Sequence, residues 1–278
     1  MTSKMGAMGA IGLACAATFF AGSAFAASPG YRDVDAENTL VIDTSKGRVI
    51  VEMYPELAPQ HVERMKTLTR KGFYNGLKFH RVIEGFMAQT GDPKGTGEGN
   101  SDLANVPAEF TIRRDTAFPI NVIDETRGVI TGYVKAMPVQ TQPNALTAIT
   151  KDSKVGAWGL YCSGALGMAR AGDVNSANSQ FFLMRNYNNV LEKKYTAFGM
   201  TLVGLDVVRK LKLGEPPVDP DTMVKVQVMA DIPAAERPKI EVMDTGSSEF
   251  KALVEAKKKE GRGEITGCDI AVPVKVLP

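Results

Sequence analysis

The chain is poor in the side chains that hold metals: it has two histidines and three cysteines, none at ligand-like spacing. No zinc site is expected from them, and no cofactor. It also lacks a surplus of either charge. Thirty-three basic residues face 31 acidic ones, a balance that speaks against nucleic acid or an anionic membrane surface as the main partner. A third absence is a long apolar run beyond the amino terminus. Nothing there approaches the roughly 20 apolar residues of a spanning helix, so no stable membrane insertion is expected.

What is present begins at residue 1. MTSKMGAMGAIGLACAATFFAGSAFAASPG sets Lys4 ahead of an apolar run from Met8 to Phe20, followed by the small-residue pattern Ala24, Phe25, Ala26. That is the layout of a secretory signal peptide over residues 1–26, cut after about Ala26. Cys15 does not make it a lipoprotein signal, because Gly12 stands where a larger aliphatic residue is expected. The processed chain is expected to be exported and soluble. It retains Cys162 and Cys268, and an oxidising compartment permits a bond between them. Two separate thiols are the alternative, and the sequence does not choose.

Residues 38–54, NTLVIDTSKGRVIVEMY, alternate apolar and polar positions on both sides of Thr44, Ser45, Lys46 and Gly47. The pattern predicts a β-hairpin. LAPQHVERMKTLTRKG predicts a helix with Pro59 in its first turn, Val62, Met65 and Leu68 on one face, and Gly72 as its stop. A second helix is expected in GLDVVRKLKLG, where Val207, Val208 and Leu211 share a face. Short β-like runs lie between them: LKFHRVI, GFMAQ, ALGMAR, QFFLM and YTAFGM. Many short strands with few helices indicate a mainly β sandwich or closed barrel. An N-terminal segment over 27–37 precedes this domain, which runs from 38 to 233. Two regions fit the plan poorly. Residues 115–160 are long for a connection and read as an insertion with a function or a small structure of its own. Residues 234–278 form a C-terminal extension with a strand-like KIEVM, a helix in SEFKALVEAKKKEG and an alternating AVPVKV.

FHRVIEGFMAQTGDPKG places one arginine in a largely apolar setting. A guanidinium is always charged and seldom buried without a partner. Arg81 is therefore either half of a structural ion pair or a positive group on the wall of an apolar groove. Strand periodicity puts Phe79, Arg81 and Ile83 on one face and His80 on the other; Met87 pairs in this way with Gln89, and Gln180 with Phe182. An arginine and two glutamines beside large apolar groups would make a ligand pocket rimmed by a few polar donors. The glycines of GDPKGTGEGN invite a phosphate-loop reading, but no Gly-Lys-Ser/Thr ending follows.

FHRVIEGFMAQTGDPKGTGEG, GALGMARAGDVNSANSQFFLM and YTAFGM, in that order, resemble the cyclophilin family of peptidyl-prolyl cis/trans isomerases. The likeness covers roughly residues 38–232 apart from the insertion. It is nearest to the exported prokaryotic branch, in NVPAEFT and GEPPVDPDTMVKVQVMADI. The resemblance implies a closed eight-stranded antiparallel barrel capped by two helices, and a periplasmic location. It assigns Arg81 as catalytic, and Phe86, Met87, Phe182 and Leu191 as the pocket for the proline ring. Gln89 and the backbone at Ala169 and Arg170 would bind the peptide main chain, Gln180 would add a substrate contact, and Phe198 would form a further wall. Three positions depart from the pattern of many members. Arg170 replaces an asparagine and adds a charge to the groove, Tyr195 replaces a histidine, and Val190 replaces a tryptophan, so weak cyclosporin binding is expected.

An amide C–N bond resists rotation by about 18–20 kcal/mol because the nitrogen lone pair is delocalised into the carbonyl. At the twisted midpoint the prolyl nitrogen is pyramidal and regains its lone pair. A donor that reaches it binds the transition state better than the planar ground state. The residues therefore imply an isomerase that twists Xaa-Pro bonds in proline-containing segments of exported proteins. The rival is a chaperone or scaffold that binds such segments without catalysis.

Overall fold

The computed structural model describes residues 1–2, 27–126, 128–261, 263 and 265–278. Apart from its first two residues, the expected signal peptide lies outside the described residues. The chain runs through β1 (Tyr31–Asp33), β2 (Thr39–Thr44), β3 (Gly47–Met53), helix α1 (Pro59–Arg70), β4 (Arg81–Val82) and β5 (Met87–Thr90). Then come β6 (Ile112–Arg114), β7 (Asn121–Thr126), β8 (Val129–Val134), β9 (Met137–Thr141), β10 (Val155–Gly159), β11 (Ala165–Met168) and β12 (Phe181–Met184). The last elements are β13 (Ala197–Val203), helix α2 (Leu205–Arg209), β14 (Met223–Val228), β15 (Lys239–Met243), helix α3 (Ser248–Glu260) and β16 (Val274–Leu277). No helix among the described residues is long and apolar enough to cross a membrane.

Eight strands form one antiparallel sheet in the order β14-β2-β3-β13-β11-β12-β5-β4. Its seed is the β2–β3 hairpin, with Ser45 and Lys46 at the turn and Thr44 opposite Gly47. The Thr44 hydroxyl donates to Gly47 O and accepts from Lys46 N, closing the turn. Alternation sends Leu40, Ile42, Val49, Val51 and Met53 into one core with Phe79, Leu166, Phe181, Leu183, Phe198 and Val226. Helix α1 starts on Pro59 and adds Val62, Met65 and Leu68 to that core, while α2 adds Val207 and Val208.

The sheet is open, which corrects the closed barrel expected above. The outer strands β4 and β14 form no ladder with each other; only the isolated bridges Lys78–Thr222 and Val82–Gly214 cross the seam. The cause is local, since β4 is two residues long and the segment entering β14 carries Pro216, Pro217 and Pro220. Proline has no N–H to donate to a ladder. The strand count differs as well, with sixteen strands in three sheets among the described residues.

The other two sheets lie beside this half-barrel. Residues 112–159 contribute a five-stranded antiparallel sheet, β6-β10-β9-β8-β7, and the N- and C-terminal segments a three-stranded one, β1-β15-β16. Their apolar faces meet the convex side of the half-barrel, where Val41 and Ile50 pack in one cluster with Val134, Met137, Ile240 and Val242. A smaller cluster joins the two sheets through Ile123, Tyr133, Phe250, Val254, Ile265 and Ile270. Cys162, on the connection from β10 to β11, forms a disulfide with Cys268 of the C-terminal segment, beside Trp158 and Leu160, with a Cα–Cα distance of 5.1 Å. Arg32 ties β1 to the half-barrel by a two-pronged ion pair with the fully buried Glu52, both contacts at 2.7 Å.

Candidate active site

Register brings the site together. Arg81 lies opposite Gln89 across β4 and β5, Gln89 opposite Phe182 across β5 and β12, and Phe182 opposite Gly167 across β12 and β11. These four form one row over four neighbouring strands. Gly167 is needed there, because a Cβ would run into the rings of Phe182 and Tyr161. The Phe182 ring stacks on Tyr161 at 5.7 Å and meets Tyr195 edge-on at 6.2 Å.

Around the row is a pocket of about 230 Å³ lined by Arg81, Phe86, Met87, Gln89, Ala169, Arg170, Phe182, Leu191 and Tyr195. Apolar side chains make one part of its wall, and two guanidinium groups with the Gln89 amide make the other. Gln180 lies next door, in a second pocket of about 360 Å³ that shares Gln89, Ala169 and Arg170 with the first. Phe198 is not brought to either. On β13 the odd and even positions face opposite ways, so Ala197 joins the outer cluster while Phe198 is fully buried in the inner core. The wall role expected for Phe198 is therefore corrected to core packing.

Two face assignments near Arg81 also change. Phe79 lies in the inner core, whereas Arg81 lines the outer pocket. His80, expected on the opposite face, lines a cleft together with Arg81, Gln89, Gly97 and Glu215. Strand parity fails here because regular pairing begins only at Arg81. Burial is the main influence on His80 and lowers its pKa, which keeps the imidazole neutral beside the guanidinium.

Hydrogen bonds run from the row into the glycine-rich loop after β5. Arg81 Nη1 donates to Gln89 Oε1 at 3.5 Å, and Gln89 Nε2 donates to Gln180 Oε1 at 2.9 Å. Gln180 Nε2 in turn donates to the carbonyls of Gly97 and Gly99 at 2.9 and 2.8 Å. Each amide thereby has only one useful orientation. The loop itself is held by Asp92, whose carboxylate accepts from the backbone N–H groups of Lys94, Thr96 and Gly97 at 2.7, 2.8 and 2.5 Å. Burial opposes its ionisation, but these N–H groups outweigh that and hold its pKa down at about 2. The glycines of GDPKGTGEG thus serve a side-chain network.

Arg170 has a settled place on the rim. Its guanidinium lies over Tyr195 at 4.6 Å and Phe110 at 5.5 Å, and Nε donates to Lys194 O at 3.0 Å. Val190 is exposed. Asp92, Phe110, Tyr161 and Glu215 do not stand out in the sequence as site residues. Asp92 was discoverable from the turn-forming Asp-Pro-Lys-Gly that begins its loop. Glu215 carried no signal, since it reaches Arg81 across 134 residues.

Comparison with known proteins agrees with the fold. The family model for cyclophilin type peptidyl-prolyl cis-trans isomerase matches residues 39–229. A Brucella suis protein named "Probable peptidyl-prolyl cis-trans isomerase" is 33% identical over 213 residues, covering 71% of this chain and 85% of its own. An Aspergillus oryzae protein, peptidyl-prolyl cis-trans isomerase-like 1, is 30% identical over 197 residues, or 69% of this chain and 96% of that protein. The crystal structure of cyclophilin AquaCyp293 from Hirschia baltica superposes with a TM-score of 0.82 at 37% identity, over 88% of this chain and 93% of the other. That likeness reaches well past the half-barrel into the two added sheets. A family match over most of the length, carried by a fold that sets Arg81, Gln89 and Phe182 in one row, places this chain among the cyclophilin-type peptidyl-prolyl cis-trans isomerases.

Proposed function

We propose that the protein speeds proline-limited folding of exported proteins, with Arg81 assisting the twist of the Xaa-Pro bond in the apolar pocket. The observation that carries this reading is the register row: the Arg81 guanidinium stands beside a pocket of about 230 Å³, roomy enough to take a proline ring. Phe86, Met87, Phe182 and Leu191 would hold the ring and exclude water, which strengthens a hydrogen bond to the pyramidal nitrogen. Gln89, the backbone at Ala169 and Arg170, and Gln180 would hold the chain on one side of the bond, and Tyr195 would close the pocket. Rotation then moves only the other side. No proton changes hands in this scheme.

Export is supported by the signal-like amino terminus and by the Cys162–Cys268 disulfide, a bond that persists in oxidising compartments such as the periplasm. Weak cyclosporin binding is expected, since Val190 offers no aromatic surface at the mouth of the pocket.

The test is exchange between cis and trans forms of a short proline peptide, followed by NMR with catalytic amounts of the chain from residue 27. Wild type should give fast exchange. Arg81→Ala, folded to the same extent, should be slower by about a hundredfold, the scale for losing one preorganised donor. An Arg81→Ala rate equal to wild type would overturn the role of Arg81. Peptide shifts without exchange from wild type would leave a proline-binding chaperone in its place.

A further inference from the structure

We propose that Glu215 is a positioning residue for Arg81: its carboxylate holds the guanidinium by Nε and leaves the terminal nitrogens free for the groove. The proposal rests on the reading of Arg81 as the catalytic donor. An arginine side chain has several rotatable bonds, and a donor aimed at one atom must have most of them restrained. Two contacts restrain Arg81. The one to Gln89 Oε1 is long, at 3.5 Å, whereas Nε donates to Glu215 Oε2 at 2.6 Å. A short charge-assisted bond of this kind is about twice as strong as a neutral one, so Glu215 is the main restraint. No hydrogen bond engages Nη2 among the described residues.

Stability of the fold does not explain this pair. Its side chains are 39% and 53% exposed, and ion pairs this exposed contribute little to stability. Yet the loop that delivers Glu215 is firmly built. Val82 N donates to Gly214 O at 2.8 Å and Gly214 N to Val82 O at 2.9 Å, a reciprocal pair linking the immediate neighbours of Arg81 and Glu215. Gly214 has φ +146°, and a Cβ there would collide with the Pro217 backbone, so only glycine fits. Pro216 and Pro217 fix φ on the other side of Glu215. At the base of the loop, the Asp221 carboxylate accepts from Lys212 N at 2.9 Å and from the Ser45 hydroxyl at 2.8 Å. The segment that keeps the half-barrel from closing thus carries one carboxylate to the arginine on the opposite edge.

Pairing does not spoil the donor. The twisted nitrogen needs an N–H aimed at its lone pair; Nη2 keeps both of its own, and Nη1 keeps one beside its long bond to Gln89. A paired guanidinium is also less costly to cover with substrate than an unpaired one. The length of the side chain matters, because a donor misplaced by about 1 Å can lose much of its effect.

The experiment compares wild type, Glu215→Ala, Glu215→Gln and Arg81→Ala by peptide exchange rate and by the nitrogen-15 signal of the Arg81 Nε–H. Glu215→Ala should lower kcat by about tenfold with KM within about twofold, the pattern for losing an arrangement needed at the transition state. Glu215→Gln keeps an oxygen for Nε and should restore most of the rate. The Nε–H signal should be slow to exchange with water in wild type and Glu215→Gln, and lost in Glu215→Ala. A Glu215→Ala enzyme as fast as wild type or faster would overturn the proposal. So would a Glu215→Gln variant as slow as Glu215→Ala, or a fall in rate with the Nε–H signal unmoved. Failure of the catalytic reading itself is separately visible, as an Arg81→Ala variant that isomerises at the wild-type rate.

Discussion

The half-barrel and the lobe beside it use the same antiparallel strands and are held together by different means. In the half-barrel, two helices and eight strands share one continuous apolar interior, and no covalent link is involved. In the lobe, a five-stranded sheet from mid-chain and a three-stranded sheet from the two ends share a much smaller core around Tyr133 and Phe250. They are joined instead by directional bonds: Tyr133 OH donates to the carbonyls of Gly267 and Ile270, Asn121 Nδ2 to Thr245 Oγ1, and Thr245 Oγ1 to Lys135 O. The Cys162–Cys268 disulfide completes the set. Where burial is scarce, specific bonds between distant segments take over.

The largest test of that contrast is to remove the disulfide. It closes a loop of 106 residues, and chain-entropy arguments assign such a link about 4–5 kcal/mol. In Cys162→Ser/Cys268→Ser, the fluorescence of Trp158, which packs beside the disulfide in the lobe, should report unfolding at a much lower urea concentration than in wild type. Isomerase activity without denaturant should persist. A shift below about 1 kcal/mol would mean that lobe packing suffices and that the contrast is wrong. A smaller effect is expected from Tyr133→Phe. That change leaves two buried carbonyls without their shared donor and should cost about 1–2 kcal/mol, read from the same urea transition. An unchanged midpoint would show that the lobe does not depend on that hydroxyl.

The same contrast explains what could be read from the chain. Local patterns were legible: the hairpin from its alternation around Ser45 and Lys46, helix α1 from Pro59 and its apolar face, and the pairing of Met87 with Gln89 from strand parity. Parity failed at Phe79 and His80, where regular pairing has not yet begun, and the resemblance misled at Phe198, whose strand position turns it inward. The lobe was visible only as two stretches that fitted poorly. Its bonds join positions more than a hundred residues apart, and no period in either stretch points to the other. Glu215 was hidden for the same reason. Its neighbours signal a turn, and nothing in a turn says which arginine it will face.

The finest test sits where lobe and groove touch. Glu192 follows Leu191, which lines the pocket of about 230 Å³, and Trp158 on β10 belongs to the lobe. Burial pushes the Glu192 carboxyl up to about 7, against smaller opposing pulls from Lys193, the Trp158 indole and the Tyr161 backbone. Lys193 Nζ lies 3.7 Å from the centre of the Trp158 ring, while neither Glu192 Oε1 nor the indole N–H closes a hydrogen bond of normal geometry. The sign follows from the raised value. Folding favours the protonated form, so the contribution of Glu192 to stability is full below the ordinary carboxyl range near 4.5 and is lost as pH rises through about 7. Because the chain has one tryptophan, its emission should titrate in that window, and Glu192→Gln should abolish the step. A step that survives in Glu192→Gln would belong to another group, and one centred below about pH 5 would mean that the carboxyl meets water freely. The joint between lobe and groove would then be a wet surface contact, and ionisation at Glu192 would not be felt at Leu191.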